Sequence, residues 1–392
     1  MRVLELGSFI AGPFCGRLLA DFGAEVIKVE PPGKGDPMRG WGPAKHQGRS
    51  LWWPVQSRNK KCITLNLASA EGQALVMALV RDADILIENF RPGTMEGWGL
   101  GYEALRTVNP AVIMVRISGF GQTGPYKDRA GFGSVGEAMG GVRYVTGYPD
   151  RPPVRTGISL GDSVAAMFGV IGALMAVYQR DRSPERRGQV IDVALYEAVF
   201  ALMESSLSEY MKVGAVRERT GNIVPGVAPS NLYPTKDGKW IAIGGNADNV
   251  WRRLAGAMGR AELADDPRYK THDARGEHQT ELDELIAAWT KAQSMTELSA
   301  LLAEAGVPAG GIFSVEDIVN DLHYQARDMI IRVQDEALGD LHLPGVVPKL
   351  SETPGRIAWT GPGLGEHNDE VFLGLLGLGG DEYQELKDSG VI

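Results

Sequence analysis

The sequence predicts an α/β protein: a parallel sheet covered by helices on both faces, followed by a second, smaller α/β domain. Three observations carry this. Short apolar strands alternate with helical stretches through the first 200 or so residues, the pattern of a parallel sheet buried on both sides. Apolar residues make up 44% of 392, enough for a large core and two to three domains, which excludes a disordered or fibrous chain. Around Gly214–Gly226 the composition shifts to a polar stretch bearing Gly and Pro, which reads as a linker.

In chain order, Val3–Leu6 reads as a strand, Cys15–Phe22 as a helix and Glu25–Glu30 as a strand closed by Pro31-Pro32-Gly33. Glu71–Arg81 is helical, Asp84–Glu88 a buried strand, Tyr102–Thr107 helix-like and Val112–Ile117 another strand. From Ser118 to Gly161 the chain is dense in Gly, Pro, Arg and Tyr. Such a long loop inside an α/β unit is expected to face a ligand. An apolar helix starts at Ser163. Its apolar run, Val164–Tyr178, is shorter than the ~20 residues that span a bilayer, so a buried helix of a soluble protein is expected and no membrane partner. A strand at Gln189–Ala194 and a helix at Glu197–Tyr210 follow. The second domain has a hairpin of Asn231–Thr235 and Lys239–Gly244 about Asp237-Gly238, then helices at Asn249–Met258 and Glu281–Ala305. Strand pieces at Ile330–Val333 and Leu341–Leu343 and a closing helix at Glu370–Leu375 end the chain. The expected boundaries are residues 1–200 for the first part of a large domain, 201–224 for a linker, 225–325 for a small domain, and 326–392 for a return to the large domain with a C-terminal tail.

The net charge of −9 disfavours nucleic acid and anionic membranes as partners. Two cysteines, Cys15 and Cys62, have no metal-type spacing, which fits free thiols in a reduced, cytoplasmic compartment. The N-terminus has no signal-peptide pattern. The 51 glycines demand close backbone packing or a ligand, since each costs entropy when ordered. Gly7, Gly12 and Gly16 do not form G-x-G-x-x-G, and no P-loop occurs. Six scattered histidines give no metal motif. Gly157-Ile158-Ser159-Leu160-Gly161 matches the letters of a nucleophile elbow, but the helix is expected to begin after Ser159, so Asp162 and not the serine occupies its start.

Asp162 is therefore the candidate residue. Locally it reads as an N-cap. It also ends a Gly-rich loop, and the positive end of a helix favours a carboxylate in its ionised, nucleophilic form.

The ordered segments LGSFIAGPFCGRLLADFGAEVIKVEPPGKGDPMR, NKKCITLNL, IENFRPGTMEGWGLGYEAL, GFGQTGPYKDRAGF, GISLGDSVAAMFGVIGAL, RRGQVIDVALYEA and LGEHNDEV resemble the family III CoA-transferases, the group of formyl-CoA transferase and carnitine CoA-transferase. The resemblance implies a Rossmann-like large domain built from both ends of the chain, a small domain and an interlocked homodimer. It implies transfer of CoA from an acyl-CoA donor to a carboxylic acid acceptor through an aspartyl-CoA thioester on Asp162, with CoA thioesters as substrates and no permanently bound cofactor or metal. It places Ile10, Ala11, Leu65, Ala68, Asn89, Phe90, Arg91, Arg129, Ala130, Gly131 and Phe132 beside CoA. Relatives often carry a basic residue where this chain has Pro31, Ala68 or Gly97, which leaves Lys60, Lys61 and Arg91 as candidates for the CoA phosphates. Ile10 stands where oxalate-metabolising formyl-CoA transferases have Gln, so a small dicarboxylate with a succinyl-CoA type donor is expected rather than oxalate. Trp41, Trp52 and Trp53 are candidates for the acyl pocket, and Arg39, Arg49, Arg143 and Arg155 for a second carboxylate. The alternative, a 2-methylacyl-CoA racemase of the same fold, would require a histidine in the segment where this chain has Ala130-Gly131-Phe132-Gly133.

Overall fold

Strands rich in Val and Ile, with buried charges at Glu5, Lys28, Glu30, Lys60, Glu88 and Arg116, form a six-stranded parallel sheet covered by helices on both faces. The computed structural model describes residues 1–392. In chain order the large unit carries β1 (Arg2–Glu5), α1 (Ala11–Asp21), β2 (Glu25–Glu30), β3 (Lys60–Thr64), α2 (Ala70–Val80), β4 (Ile85–Glu88), α3 (Tyr102–Val108), β5 (Ile113–Ser118), α4 (Gly133–Met139), α5 (Leu160–Arg182), β6 (Val190–Ala194), α6 (Leu195–Phe200) and α7 (Ser206–Val213). The strand order is β3-β2-β1-β4-β5-β6, all parallel, the doubly wound order whose direction reverses between β1 and β4. One face packs on α1 and α5 through Leu19, Val115, Ala165 and Ala173. The other packs on α2, α3 and the C-terminal residues through Leu79, Leu105, Phe372 and Tyr383.

The small unit comprises Arg143–Arg155 and Val216–His323. It contains β7 (Ser230–Pro234), β8 (Trp240–Gly244), α8 (Asp248–Ala257), α9 (Gln279–Thr290), α10 (Met295–Glu304) and β9 (Ala309–Gly311). The antiparallel sheet runs β9-β8-β7, over a core centred on Trp251, Tyr269 and Leu282. Back in the large unit, β10 (Ile330–Asp335) and β11 (Gly339–Pro344) form a hairpin, and α11 (Gly380–Asp388) closes the chain after a π-helical turn at Asp369–Leu375.

Several expectations need correction. Arg143–Arg155 belongs to the small unit, although the sequence boundaries leave it within residues 1–200. Helix α5 begins at Leu160, with Ser159 at the N-cap, so Asp162 lies inside the first turn instead of capping it. The residues preceding Ser159 form no strand, and a nucleophile elbow has no basis. The expected helix Glu197–Tyr210 breaks into α6 and α7 where Glu204 turns left-handed (φ 50°). The expected helix Glu281–Ala305 is two helices. Ser294 and Glu297 form a capping box that starts α10, a signal legible as S-x-x-E. Helix α4 lies within the stretch read as loop, because its glycines serve close packing instead of chain reversal.

Candidate active site

Ligands of open α/β sheets bind outside the carboxyl ends of the strands at the point where strand order reverses. Here a crevice of about 240 Å³ opens there. Its walls are Ser8–Ala11 after β1, Asn89–Pro92 after β4, Ile117–Gly119 at the end of β5, and Arg129, Gly131–Gly133, Asp162 and Leu195. The volume falls below the ~300–1,000 Å³ of whole-ligand pockets, so it suits the reacting end of a larger molecule.

Asp162 is half-buried in the first turn of α5. Its carboxylate lies against the Cα of Gly133: a Cβ built there would stand 2.0 Å from Asp162 Oδ2 and 2.7 Å from Cγ. Glu137, buried in α4, accepts a hydrogen bond from Gly161 N–H at 3.2 Å and thereby ties α4 to the first turn of α5. The sequence reading passed over Glu137; its position four residues after Gly133 was the available signal.

The β1–α1 turn is held from behind. Asn89 Oδ1 accepts from Ser8 N–H and Asn89 Nδ2 donates to Ser8 O, both at 2.9 Å. Gly7 is required because a Cβ would meet Asn89 Oδ1 at 2.5 Å. The Asn89 amide thus shapes the wall, and the residue itself lines the crevice. Phe90 packs edge-on to Trp98. Arg91 and Arg129 are exposed, and the Arg129 guanidinium stacks 3.5 Å from the Tyr126 ring centroid. Of the residues expected beside CoA, Ile10, Ala11, Asn89, Phe90, Arg91, Arg129, Gly131 and Phe132 meet around Asp162. Leu65, buried in the core, the exposed Ala68 and the exposed Ala130 do not line the crevice.

Lys60 cannot hold a phosphate. It is fully buried, bonded to Glu5 at 2.8 Å and to Pro13 O at 2.7 Å, and burial lowers its pKa against the pull of Glu5. Lys61 is paired with Glu25 and Glu370. Arg39 is likewise committed, bidentate to Glu30 and stacked 3.7 Å over Trp53, while Arg143 and Arg155 belong to the small unit. Trp53 is buried and donates to Pro362 O; with Trp52 it packs behind Phe9 and Ile10, and Trp41 meets Phe9 edge-on. The three tryptophans therefore brace the turn, and none lines the crevice.

A larger cavity of about 760 Å³ lies beside Trp53, Trp359 and His367. Arg39 in its wall is paired with Glu30, while Asp335 accepts from the N–H groups of Ala337 and Leu338 and Glu366 from Gly363 N–H. Asp162 is not part of it. Burial pushes the Cys15 and Cys62 thiols above their ordinary pKa, so neither supplies a thiolate. No group of three or more His, Cys, Asp or Glu is placed to hold a metal ion.

The doubly wound unit thus sets a carboxylate and two guanidinium groups at its switch-point crevice, a setting that suits an anionic ligand. The chain matches CoA-transferase family III over residues 1–368. It belongs to that family and is a CoA-transferase. It is 61% identical over 392 residues to the succinyl-CoA–D-citramalate CoA-transferase of Chloroflexus aurantiacus, covering 100% of this chain and 97% of the relative. The beta subunit of succinyl-CoA–L-malate CoA-transferase from the same organism is 41% identical over 395 residues, at 100% and 97% coverage. A crystal structure of a CaiB/BaiF family protein from Brucella suis superposes with a TM-score of 0.84 at 34% identity, covering 96% of this chain and 98% of that one.

Proposed function

We propose that this CoA-transferase moves CoA from a succinyl-CoA type donor to a small dicarboxylic acid through an aspartyl-CoA thioester on Asp162. The observation that carries it is the Asp162 carboxylate set at the head of α5 in the switch-point crevice. The Asp162 carboxylate attacks the donor thioester carbonyl, the C–S bond breaks, and a mixed anhydride and free CoA thiolate result. The thiolate attacks the aspartyl carbonyl and expels the donor acid as its carboxylate, leaving aspartyl-CoA. The acceptor carboxylate then displaces the thiolate to form a second anhydride, and the thiolate attacks the acceptor's carbonyl to release the new acyl-CoA and regenerate Asp162. Every nucleophile and leaving group is an anion, and no proton changes hands.

That balance suits a crevice lined by no histidine. A racemase must lift and return an α-proton, and Phe132 stands where its imidazole would be needed. The N–H groups of Ser8 and Phe9 are taken by Asn89 and Asp36, whereas Ile10 and Ala11, at the head of α1, line the crevice and their peptide N–H groups suit the oxyanion of each tetrahedral intermediate. Arg91 and Arg129 suit the CoA phosphates. The dicarboxylate assignment rests on the relatives, whose names pair succinyl-CoA with D-citramalate and L-malate. The scheme uses no resident cofactor or metal, and the buried free cysteines suit the cytoplasm.

Incubation with acyl-CoA and hydroxylamine should place a hydroxamate on Asp162, read by peptide mass spectrometry, and Asp162→Ala should lose at least ~10³-fold in kcat, a nucleophile-scale loss. A panel of acyl-CoA donors against mono- and dicarboxylic acceptors should favour succinyl-CoA with C4–C6 dicarboxylates. Full activity of Asp162→Ala would sink the mechanism.

A further inference from the structure

We propose that Asp36 is a positioning residue for the transfer reaction: its carboxylate holds Phe9 in a left-handed backbone conformation, and this sets the wall of the crevice that faces Asp162. The inference rests on Asp162 as the nucleophile.

Phe9 has φ 61°, a region that bulky L-residues rarely enter and that persists only where surrounding contacts enforce it. The enforcing contacts are visible. Asp36 Oδ1 accepts hydrogen bonds from Phe9 N–H at 3.1 Å and from Met38 N–H at 2.9 Å, while Oδ2 lies 2.8 Å from Lys28 Nζ. Lys28, fully buried, also bonds Glu5 Oε1 at 3.1 Å and Gly7 O at 2.9 Å. Asp36 is anchored in turn through its own N–H to Glu30 Oε2, and Glu30 is clamped by Arg39. Glu5 is shared with Lys60, which reaches across to Pro13 O in α1. Burial would lower the Lys28 pKa, but Glu5, Asp36 and Glu30 outweigh it and hold the ammonium charged. Burial would likewise raise Asp36, but Lys28 and the two N–H donors outweigh it and keep the carboxylate ionised.

The network therefore grips both sides of the turn, Gly7 through its carbonyl and Phe9 through its amide, while Asn89 grips Ser8 between them. A turn fixed at three consecutive residues presents Ile10 and Ala11 to the crevice in one place. Buried ion pairs are weak evidence for stability and are better explained by the geometry they specify. Here that geometry is a strained residue in the wall of the reaction site.

The test is a double-mutant cycle with Phe9→Gly, since glycine enters the left-handed region without a Cβ penalty. Asp36→Ala should lower kcat about 10–100-fold, the scale of a misplaced catalytic wall, with KM for acyl-CoA within about 3-fold. In the Phe9→Gly background the same substitution should cost less than about 3-fold, because the turn no longer needs to be forced. Should Asp36→Ala not fold, Asp36→Leu supplies the same cycle, since it fills a similar volume and offers Phe9 N–H no acceptor. An equal penalty in both backgrounds, or full kcat in Asp36→Ala, overturns the proposal. Those results leave hydroxamate trapping at Asp162 in the wild-type enzyme intact, whereas failure of the nucleophile assignment abolishes that trapping itself.

Discussion

At the scale of single residues, the Asp162 carboxylate, the proposed nucleophile, is given its place by an absence of atoms at Gly133. Gly133 begins α4 with an ordinary negative φ, so an alanine there is conformationally cheap. Its methyl would nevertheless stand 2.0 Å from Asp162 Oδ2, and the carboxylate would have to swing away. Gly133→Ala should therefore keep a native melting profile while losing about 10²-fold in kcat, the cost of a misplacement near 1 Å. Steady-state kinetics beside a thermal melt check this; unchanged kcat would show that the carboxylate is set from elsewhere. Asp162 stood out in the sequence as an acid at the head of an apolar helix after a Gly-rich loop, but that local pattern alone reads as a cap, and its proposed role came from the family resemblance. The fate of Lys60 was not legible in the sequence. Its partner Glu5 is 55 positions away in sequence, and only the pairing of β3, β2 and β1 brings the two together. Local reading gives charge and spacing, and burial decides whether a charge is a ligand or a strut.

At the scale of elements, the C-terminal return explains how the edge of the sheet is closed. Strand β3 is terminal in the sheet, and an open edge invites mispairing. His367 N–H donates to Cys62 O and its Nδ1 accepts from Cys62 N–H, so a side chain stands in for half of a ladder pair. Asn368 continues the pattern, with Oδ1 accepting from Thr64 N–H and Nδ2 donating to Thr64 Oγ1. An Nδ1 that accepts belongs to neutral imidazole. Burial draws the His367 pKa below 6.5, with Glu366 and Glu370 opposing and Lys61 adding to the fall. The unfolded chain therefore takes up the proton first. This contribution to stability is whole above about pH 6.5 and is lost as pH falls through the lower folded value. The melting temperature should drop more steeply between pH 7 and 5 in the wild type than in His367→Gln, whose amide oxygen accepts without titrating; parallel curves would exclude the role. Helix and strand periodicity revealed the elements of the large unit in order, but HNDEV gives no period, so its function as an edge cap was invisible. The separation of α9 from α10 was readable from Ser294-x-x-Glu297.

At the scale of the whole molecule, the longest helix makes the strongest claim. A buried helix was expected from Val164–Tyr178, and α5 is longer, 23 residues, with its inner face packed on the sheet and its outer face bare. Met167, Ile171, Leu174, Met175 and Tyr178 recur at the spacing of one helical face, and each is at least 44% exposed. Phe200, Leu202, Leu207 and Met211 in and around α6 and α7 are also exposed. Monomers in water rarely leave such apolar faces open. A helix of this length and hydropathy also meets the span criterion for a bilayer. However, Asp162 lies in its first turn and Arg180, in its last, is bonded to Asp84, which commits both ends to the sheet domain. We propose a second copy of the chain as the occupant of this face, in an isologous dimer contact. Light scattering should give twice the 42.3 kDa chain mass. Ile171→Asp with Met175→Asp should convert the dimer to monomer or to insoluble protein; a wild-type monomer at micromolar concentration would refute the contact. Interlocked subunits would add a kinetic signature. Two differently tagged dimers should exchange subunits only under conditions that unfold the chain, because a threaded pair cannot separate while both members remain folded.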